Sequence, residues 1–137
     1  MIELHVPVNE PLLGPEVERN VLECVTSGWI SSEGPQLRAF EERWSEYCGM
    51  PFGVAVSSGT AALEIAVKAL GLNPGDEIIL PSFTIISCAL AIVEAGAVPV
   101  LVDCDPETWC MDVSQIEQKI SARTRAITSF TENGFTM

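Results

Sequence analysis

The chain has 137 residues, of which 47% are hydrophobic, and its 19 acidic and 7 basic residues give a formal net charge of −12. The length favours one domain with a real core, and the hydrophobic content excludes an intrinsically disordered chain. The negative charge argues against nucleic acid or an anionic membrane as a partner, because both require a basic protein surface. The acidic residues are scattered, which is typical of a solvated face and does not indicate a metal site.

The cysteines and the N-terminus both indicate a cytoplasmic protein. Five cysteines are present, an odd number, and no two have Cys-x-x-Cys spacing, so neither a disulfide framework nor a zinc site is expected. Residues 1–5 contain no basic segment followed by an apolar one, and we therefore predict no signal peptide. The uncharged stretch 78–93 is shorter than the roughly 20 residues that span a membrane, and Pro81 interrupts it.

The first half of the chain predicts three helices and one strand. Pro15 fits the first turn of a helix that Gly28 ends, and Gly49 ends a second amphipathic helix. The predicted elements are a helix at 15–27, a loop at 29–35, a helix at 37–47, a strand at 52–56 and a helix at 60–70.

The second half alternates short apolar strands with helices. The predicted elements are strands at 77–80, 98–102 and 124–127 and helices at 84–95 and 113–120, with turns at 73–76 and 105–107. Residues 78–80 and 98–102 are apolar at every position, as in a sheet that is buried on both faces. This order predicts an α/β fold with a mostly parallel sheet and helices on both faces.

The most informative motif is the turn Ser58-Gly59-Thr60 between the predicted strand 52–56 and the helix after it. Free backbone N–H groups and the positive end of the helix dipole make such a corner suitable for a phosphate. The same residues also fit an ordinary turn with a serine or threonine helix cap, and the sequence leaves both interpretations open. No lysine follows the turn as in a P-loop, and the Gly-x-Gly-x-x-Gly pattern is absent, so nucleoside triphosphates and dinucleotides are disfavoured.

Five segments, in their order and spacing, resemble one family of enzymes. They are residues 28–35 (GWISSEGP), 57–63 (SSGTAAL), 74–84 (PGDEIILPSFT), 96–103 (GAVPVLVD) and 123–127 (RTRAI). Over residues 6–127 the chain resembles the N-terminal part of the DegT/DnrJ/EryC/StrS sugar aminotransferases, fold-type I enzymes that use pyridoxal 5'-phosphate (PLP). Residues 107–113 and 116–120 look most like the GDP-perosamine synthases of that family, which transfer an amino group from glutamate to C4 of a GDP-linked 4-keto-6-deoxy sugar.

The resemblance implies a cofactor-binding role for five residues. Ser58, Gly59, Thr60 and Ala61 match the turn that holds the phosphate of PLP. Ile85 stands where the family usually carries an aromatic ring stacked on the pyridine face. Isoleucine covers that face by dispersion but supplies no π-stacking.

The resemblance also implies a substrate region and partners. Trp29, Ile30 and Ser31 match a segment near the sugar-nucleotide site, although Trp29 fits a core anchor equally well. The expected ligands are a nucleotide sugar and glutamate, and the full-length family implies a homodimer.

A transaminase also needs a Schiff-base lysine and a carboxylate that pairs with the pyridinium nitrogen. The resemblance implies that both lie beyond residue 127, and the two lysines present, Lys68 and Lys119, fit solvated helix positions. His5, the only histidine, has no evident partner. We therefore expect residues 1–127 to be the incomplete N-terminal part of the PLP-dependent large domain and residues 128–137 to be a non-matching tail. Such a truncated chain would be inactive alone.

Two alternatives stay open, and one physical expectation accompanies them. Some relatives carry histidine instead of the lysine and act as sugar dehydratases, and the deciding residue lies outside this chain. The chain could also be a non-catalytic remnant that binds a full-length paralogue. In either case an incomplete sheet leaves apolar edges, so poor solubility or loose packing is expected.

Overall fold

The computed structural model describes residues 10–129, and the chain divides into two compact units after residue 55. The first unit contains α1 (Pro15–Ser27) and α2 (Pro35–Tyr47). The second contains α3 (Gly59–Ala69), β1 (Glu77–Pro81), α4 (Ile86–Glu94), β2 (Val98–Val102), a 3-10 helix (Val113–Gln115), α5 (Ile116–Lys119) and β3 (Thr124–Ile127). Residues 1–9, which include His5, and residues 130–137 of the predicted tail lie outside the described residues.

Both helices of the first unit begin at a proline, whose missing N–H would have no acceptor in the first turn. The bounds of α1 are those predicted, and α2 begins two residues before the predicted start. Neither helix buries a residue within the chain. The rings of Phe40, Trp44 and Tyr47 follow one another along α2 with centroids 6.1 and 5.7 Å apart, yet all three residues are exposed.

The prediction of a strand at 52–56 is wrong, because residues 52–56 form no strand in the structure. The Ala55 N–H donates to the Glu41 side chain of α2 at 2.8 Å, so that amide is taken by a carboxylate. A Cβ added at Gly53 would lie 2.7 Å from the carbonyl oxygen of Glu41, which shows how closely this segment approaches α2. A strand needs a second strand for its backbone groups, and here the Ala55 N–H bonds to a side chain of α2 instead.

The second unit contains a three-stranded parallel sheet in the order β2-β1-β3, which confirms the predicted parallel α/β architecture. All five residues of the central strand β1 are buried. On one face, Ile78 and Leu80 pack with Cys88 and Ile92 of α4, and α3 covers the same cluster. On the other face, Ile79 and Val102 pack with Met111 and α5.

Two predicted helices are shorter or less regular than expected. The helix predicted at 84–95 begins at Ile86, because Ile85 has extended backbone angles and caps it. The helix predicted at 113–120 is divided into the 3-10 helix and the four-residue α5, and Ile120 is already extended. The bounds of β2 and β3 are those predicted.

Two buried carboxylates join β1 to β3 at the beginning of the sheet. Asp76 pairs with Arg125 at 3.1 Å, and Glu77 accepts hydrogen bonds from Arg123 and from the hydroxyl of Ser121. Asp76 and Glu77 are each only 6% exposed, and burial of a charged group is costly unless it is paired. Their arginine partners offset that cost. The hydrogen bonds from Ser121 and Arg123 lower the pKa of Glu77 below its ordinary value.

This lowered pKa predicts that the second unit loses stability in acid. A carboxyl whose pKa is depressed on folding contributes stability above its unfolded pKa of about 4.3, and that contribution is lost as the pH falls through the folded pKa. We expect a Glu77→Gln variant to have a lower free energy of unfolding than the parent at pH 7. The difference between the two should become smaller below about pH 4. Urea unfolding of both proteins between pH 7 and pH 3 measures this difference. A difference that stays constant with pH would contradict the prediction.

The apolar surface predicts weakly cooperative unfolding of the chain by itself. Leu101 of β2 is 52% exposed and Ile127 of β3 is 48% exposed, and neither helix of the first unit is buried. Burial of apolar surface drives cooperative folding, so we expect a broad thermal transition by circular dichroism and strong binding of an apolar dye. A sharp transition without dye binding would contradict this expectation.

Candidate cofactor site

The predicted phosphate turn forms the N-terminus of α3. Ser58 is extended, with φ −162° and ψ 162°, and its Oγ accepts from the Ala61 N–H at 3.1 Å. The Ala62 N–H donates to the Ser58 carbonyl at 3.1 Å and begins the helical ladder. Ser58 is therefore a helix cap, as one of the two interpretations predicted. The N–H groups of Gly59 and Thr60 precede that ladder, where a helix offers them no acceptor.

The N-terminus of α4 meets this turn, which the sequence did not indicate. The hydroxyls of Thr60 and Ser87 share a hydrogen bond of 3.0 Å, and each residue is the second of its helix. Two positive helix ends therefore lie close together. Ser87 was missed because nothing local distinguishes a serine in the first turn of an apolar helix.

The turn has room for an anion and suits one chemically. Apart from its chain neighbours and the backbone of its own helix, a Cβ added at Gly59 would meet no atom within 4 Å, and residues 57–61 are all exposed or half-buried. N–H groups, hydroxyls and two helix ends together stabilise negative charge without a basic side chain. The residues present thus fit a phosphate, which is how the resemblance would use them.

Ile85 lies on the loop that follows β1 and caps α4, and it is 42% exposed. Ser87, whose hydroxyl contacts the phosphate turn, is two residues later in the same segment. Carboxyl ends of parallel strands are the usual places for ligands in α/β folds. The structure therefore brings Ile85 and the phosphate turn to one end of the second unit.

The predicted substrate residues lie in the first unit. Trp29 is 52% exposed and Ile30 is 80% exposed, and Ser31 is exposed as well. Trp29 lines an open cleft of about 420 Å³ together with Arg38 and Glu42. Within this unit Trp29 is not a buried core residue.

The remaining candidate residues are exposed. Lys68 lies in the last turn of α3 and Lys119 is the last residue of α5. Among residues 10–129, no group of three or more potential ligands is arranged to hold a metal ion, and no helix is long and apolar enough to cross a membrane.

Sugar aminotransferases are among the known proteins similar to this chain. GDP-perosamine synthase of Escherichia coli O157:H7 is 45% identical over 123 residues, which cover 90% of this chain and 34% of that protein. The enzyme of Caulobacter vibrioides is 43% identical over 122 residues, covering 89% of this chain and 33% of that one. A sugar aminotransferase of Streptococcus pneumoniae in its PLP form has a TM-score of 0.79 and 35% identity over 90% of this chain and 31% of its own.

The chain thus spans about a third of the length of these relatives. Solved structures with the same architecture contain PLP or its amino form, pyridoxamine 5'-phosphate (PMP), and the family is PLP-dependent. Residues 11–134 match the DegT/DnrJ/EryC1/StrS aminotransferase family. This chain belongs to the DegT/DnrJ/EryC1/StrS aminotransferase family.

Proposed function

We propose that this chain supplies the phosphate-binding part of a PLP-dependent aminotransferase that acts on a nucleotide-linked 4-keto-6-deoxy sugar, in the manner of GDP-perosamine synthase. The proposal of cofactor binding rests on one observation: the N-termini of α3 and α4 contact each other through the hydroxyls of Thr60 and Ser87. The choice of sugar rests on the similarity to the GDP-perosamine synthases.

The residues have distinct tasks in this proposal. The N–H groups of Gly59 and Thr60 and the hydroxyls of Ser58 and Thr60 hold the cofactor phosphate. Ile85 covers one face of the pyridine ring by dispersion. PLP, when bound, supplies the electron sink that stabilises negative charge on the carbon that loses a proton. Ala61 contributes through its N–H, which keeps Ser58 in place.

Trp29, Ile30 and Ser31 form the proposed contact with the nucleotide sugar. Their exposure leaves them available to a ligand, and an indole ring suits the apolar face of a sugar or base. In this proposal glutamate is the amino donor, the enzyme is a cytoplasmic homodimer, and residues 1–127 are part of its cofactor-binding large domain.

We also propose that neither lysine of this chain bonds to the cofactor. Lys68 and Lys119 are exposed at helix ends, whereas a catalytic lysine needs an enclosed site that positions and activates its amine. The 137 residues alone are then inactive in amino transfer. The lysine, and with it the choice between aminotransferase and dehydratase, belongs to residues that these 137 do not include.

A chimera tests this function directly. Residues 11–129 replace the matching segment of the Escherichia coli GDP-perosamine synthase, and amino transfer from labelled glutamate to the GDP-linked 4-keto-6-deoxy sugar is measured. We expect a PLP-dependent aminated product, because this chain would supply the phosphate site and the relative would supply the lysine. A matched chimera with Ser58→Ala and Thr60→Ala should lose most of the activity. A folded, PLP-loaded chimera that forms no aminated product would contradict the proposal.

A further inference from the structure

Trp109 has a strained backbone. Its φ is 60°, and among residues 10–129 it is the one residue other than glycine with positive φ. The left-handed region is costly for a bulky side chain and is occupied only when the surroundings impose it. The tryptophan is also 57% exposed, so burial of its ring does not offset that cost.

Asp105 imposes this conformation. One of its carboxylate oxygens accepts from the N–H groups of Glu107 and Thr108 at 3.0 and 2.8 Å, and from the Thr108 hydroxyl at 3.0 Å. Its carbonyl accepts from the Trp109 N–H at 2.8 Å. The bonds from Thr108 and Glu107 lower the pKa of Asp105, so its carboxylate stays charged at neutral pH. In the loop between β2 and the 3-10 helix, the Asp105 side chain thus holds residues 107 and 108, and the Asp105 carbonyl holds Trp109 directly after them.

The imposed conformation places Trp109 against the loop that carries Ile85. The Trp109 and Phe83 rings lie 5.4 Å apart at an angle of 57°, a favourable tilted arrangement. Ser82 adds a second connection, since its hydroxyl donates to Asp103 at 3.2 Å. Phe83 is two residues from Ile85, which caps α4 and precedes Ser87 by two residues.

We propose that Trp109 is a positioning residue, held by Asp105, that braces residues 82–85 through Phe83 and so fixes Ile85 at the cofactor site. The brace itself is a property of the second unit, and its link to the cofactor rests on the proposed function. The backbone cost at Trp109 is then the cost of placing a ring beside Phe83. A purely structural turn would be served equally well by glycine, which adopts this conformation freely.

Amide hydrogen exchange on the full chain tests the brace. Trp109→Gly keeps the left-handed turn and removes the ring, and Trp109→Phe keeps a ring at the same backbone cost. We expect the amides of residues 82–88 to exchange about two- to tenfold faster in Trp109→Gly and at the parent rate in Trp109→Phe, with residues 78–80 unchanged in both. Asp105→Ala should act like Trp109→Gly, whereas Asp105→Asn, which keeps an acceptor oxygen, should not. Equal exchange of residues 82–88 in parent and Trp109→Gly would overturn the brace.

Binding of PMP tests the link to the cofactor. We expect Trp109→Gly to bind PMP several-fold more weakly than Trp109→Phe, because Ile85 would no longer be held. Faster exchange with unchanged PMP affinity would overturn the link. If the parent itself binds no PMP, the proposed phosphate site fails, and the exchange result alone decides whether Trp109 braces residues 82–85.

Discussion

Replacement of Ile92 by alanine should remove most of the stability of the second unit. The Ile92 side chain is fully buried in α4, where it packs with Ile78 and Leu80 of β1. Substitutions of this kind cost about 2–5 kcal/mol, through lost transfer free energy and the cavity that remains. That range is a large share of the stability of a small unit, so the amides of β1 should lose nearly all protection from hydrogen exchange.

Ile86→Ala is the matched control for this prediction. It makes the same chemical change in the same helix, but Ile86 is 70% exposed. We expect a change within about 0.5 kcal/mol, as for other surface substitutions. Similar protection of β1 in the Ile92→Ala and Ile86→Ala variants would show that the core does not lie where the structure places it.

An aspartate at Gly59 should weaken phosphate binding strongly without unfolding α3. The open space around Gly59 accommodates the side chain, and a negative charge in the first turn of a helix stabilises the helix. The same charge would repel a phosphate held by the neighbouring N–H groups. Opposed like charges cost several kcal/mol, so PMP affinity should fall by about a hundredfold.

Gly59→Asn separates charge from size in this experiment. Asparagine has nearly the shape of aspartate, is neutral, and is also tolerated near helix N-termini. We therefore expect Gly59→Asn to bind PMP much more tightly than Gly59→Asp, as isothermal titration calorimetry can measure. Equal affinities for the two variants would favour an ordinary capped turn with no bound phosphate.

Elements that short-range signals define could be predicted from the sequence. Pro15 and Gly28 mark the two ends of α1, and the unbroken apolar run of β2 gives its bounds. The strand predicted at 52–56 failed because a strand depends on distant hydrogen-bond partners. Residues 52–56 do contain an apolar run, but no local signal indicates that Glu41 binds the Ala55 N–H.

Part of the candidate site could be predicted from local sequence, and part depends on contacts between distant residues. The turn at Ser58 is visible in the sequence because strand, glycine and helix signals are adjacent there. Ser87 is 27 residues from Thr60, and only the packing of α3 on α4 brings their hydroxyls together. Trp109 gave no signal either, since tryptophan is not a residue that indicates a left-handed turn.

The most direct test of the phosphate site compares PMP with pyridoxamine, which lacks the phosphate, by titration calorimetry on the 137-residue chain. Neither ligand has an aldehyde that could react with Lys68 or Lys119, so the difference reports the phosphate contact. We expect PMP to bind, pyridoxamine to bind at least about tenfold more weakly, and inorganic phosphate to compete with PMP. Equal affinities for PMP and pyridoxamine, or no binding of PMP at all, would contradict the assignment of the turn at Ser58 to a cofactor phosphate.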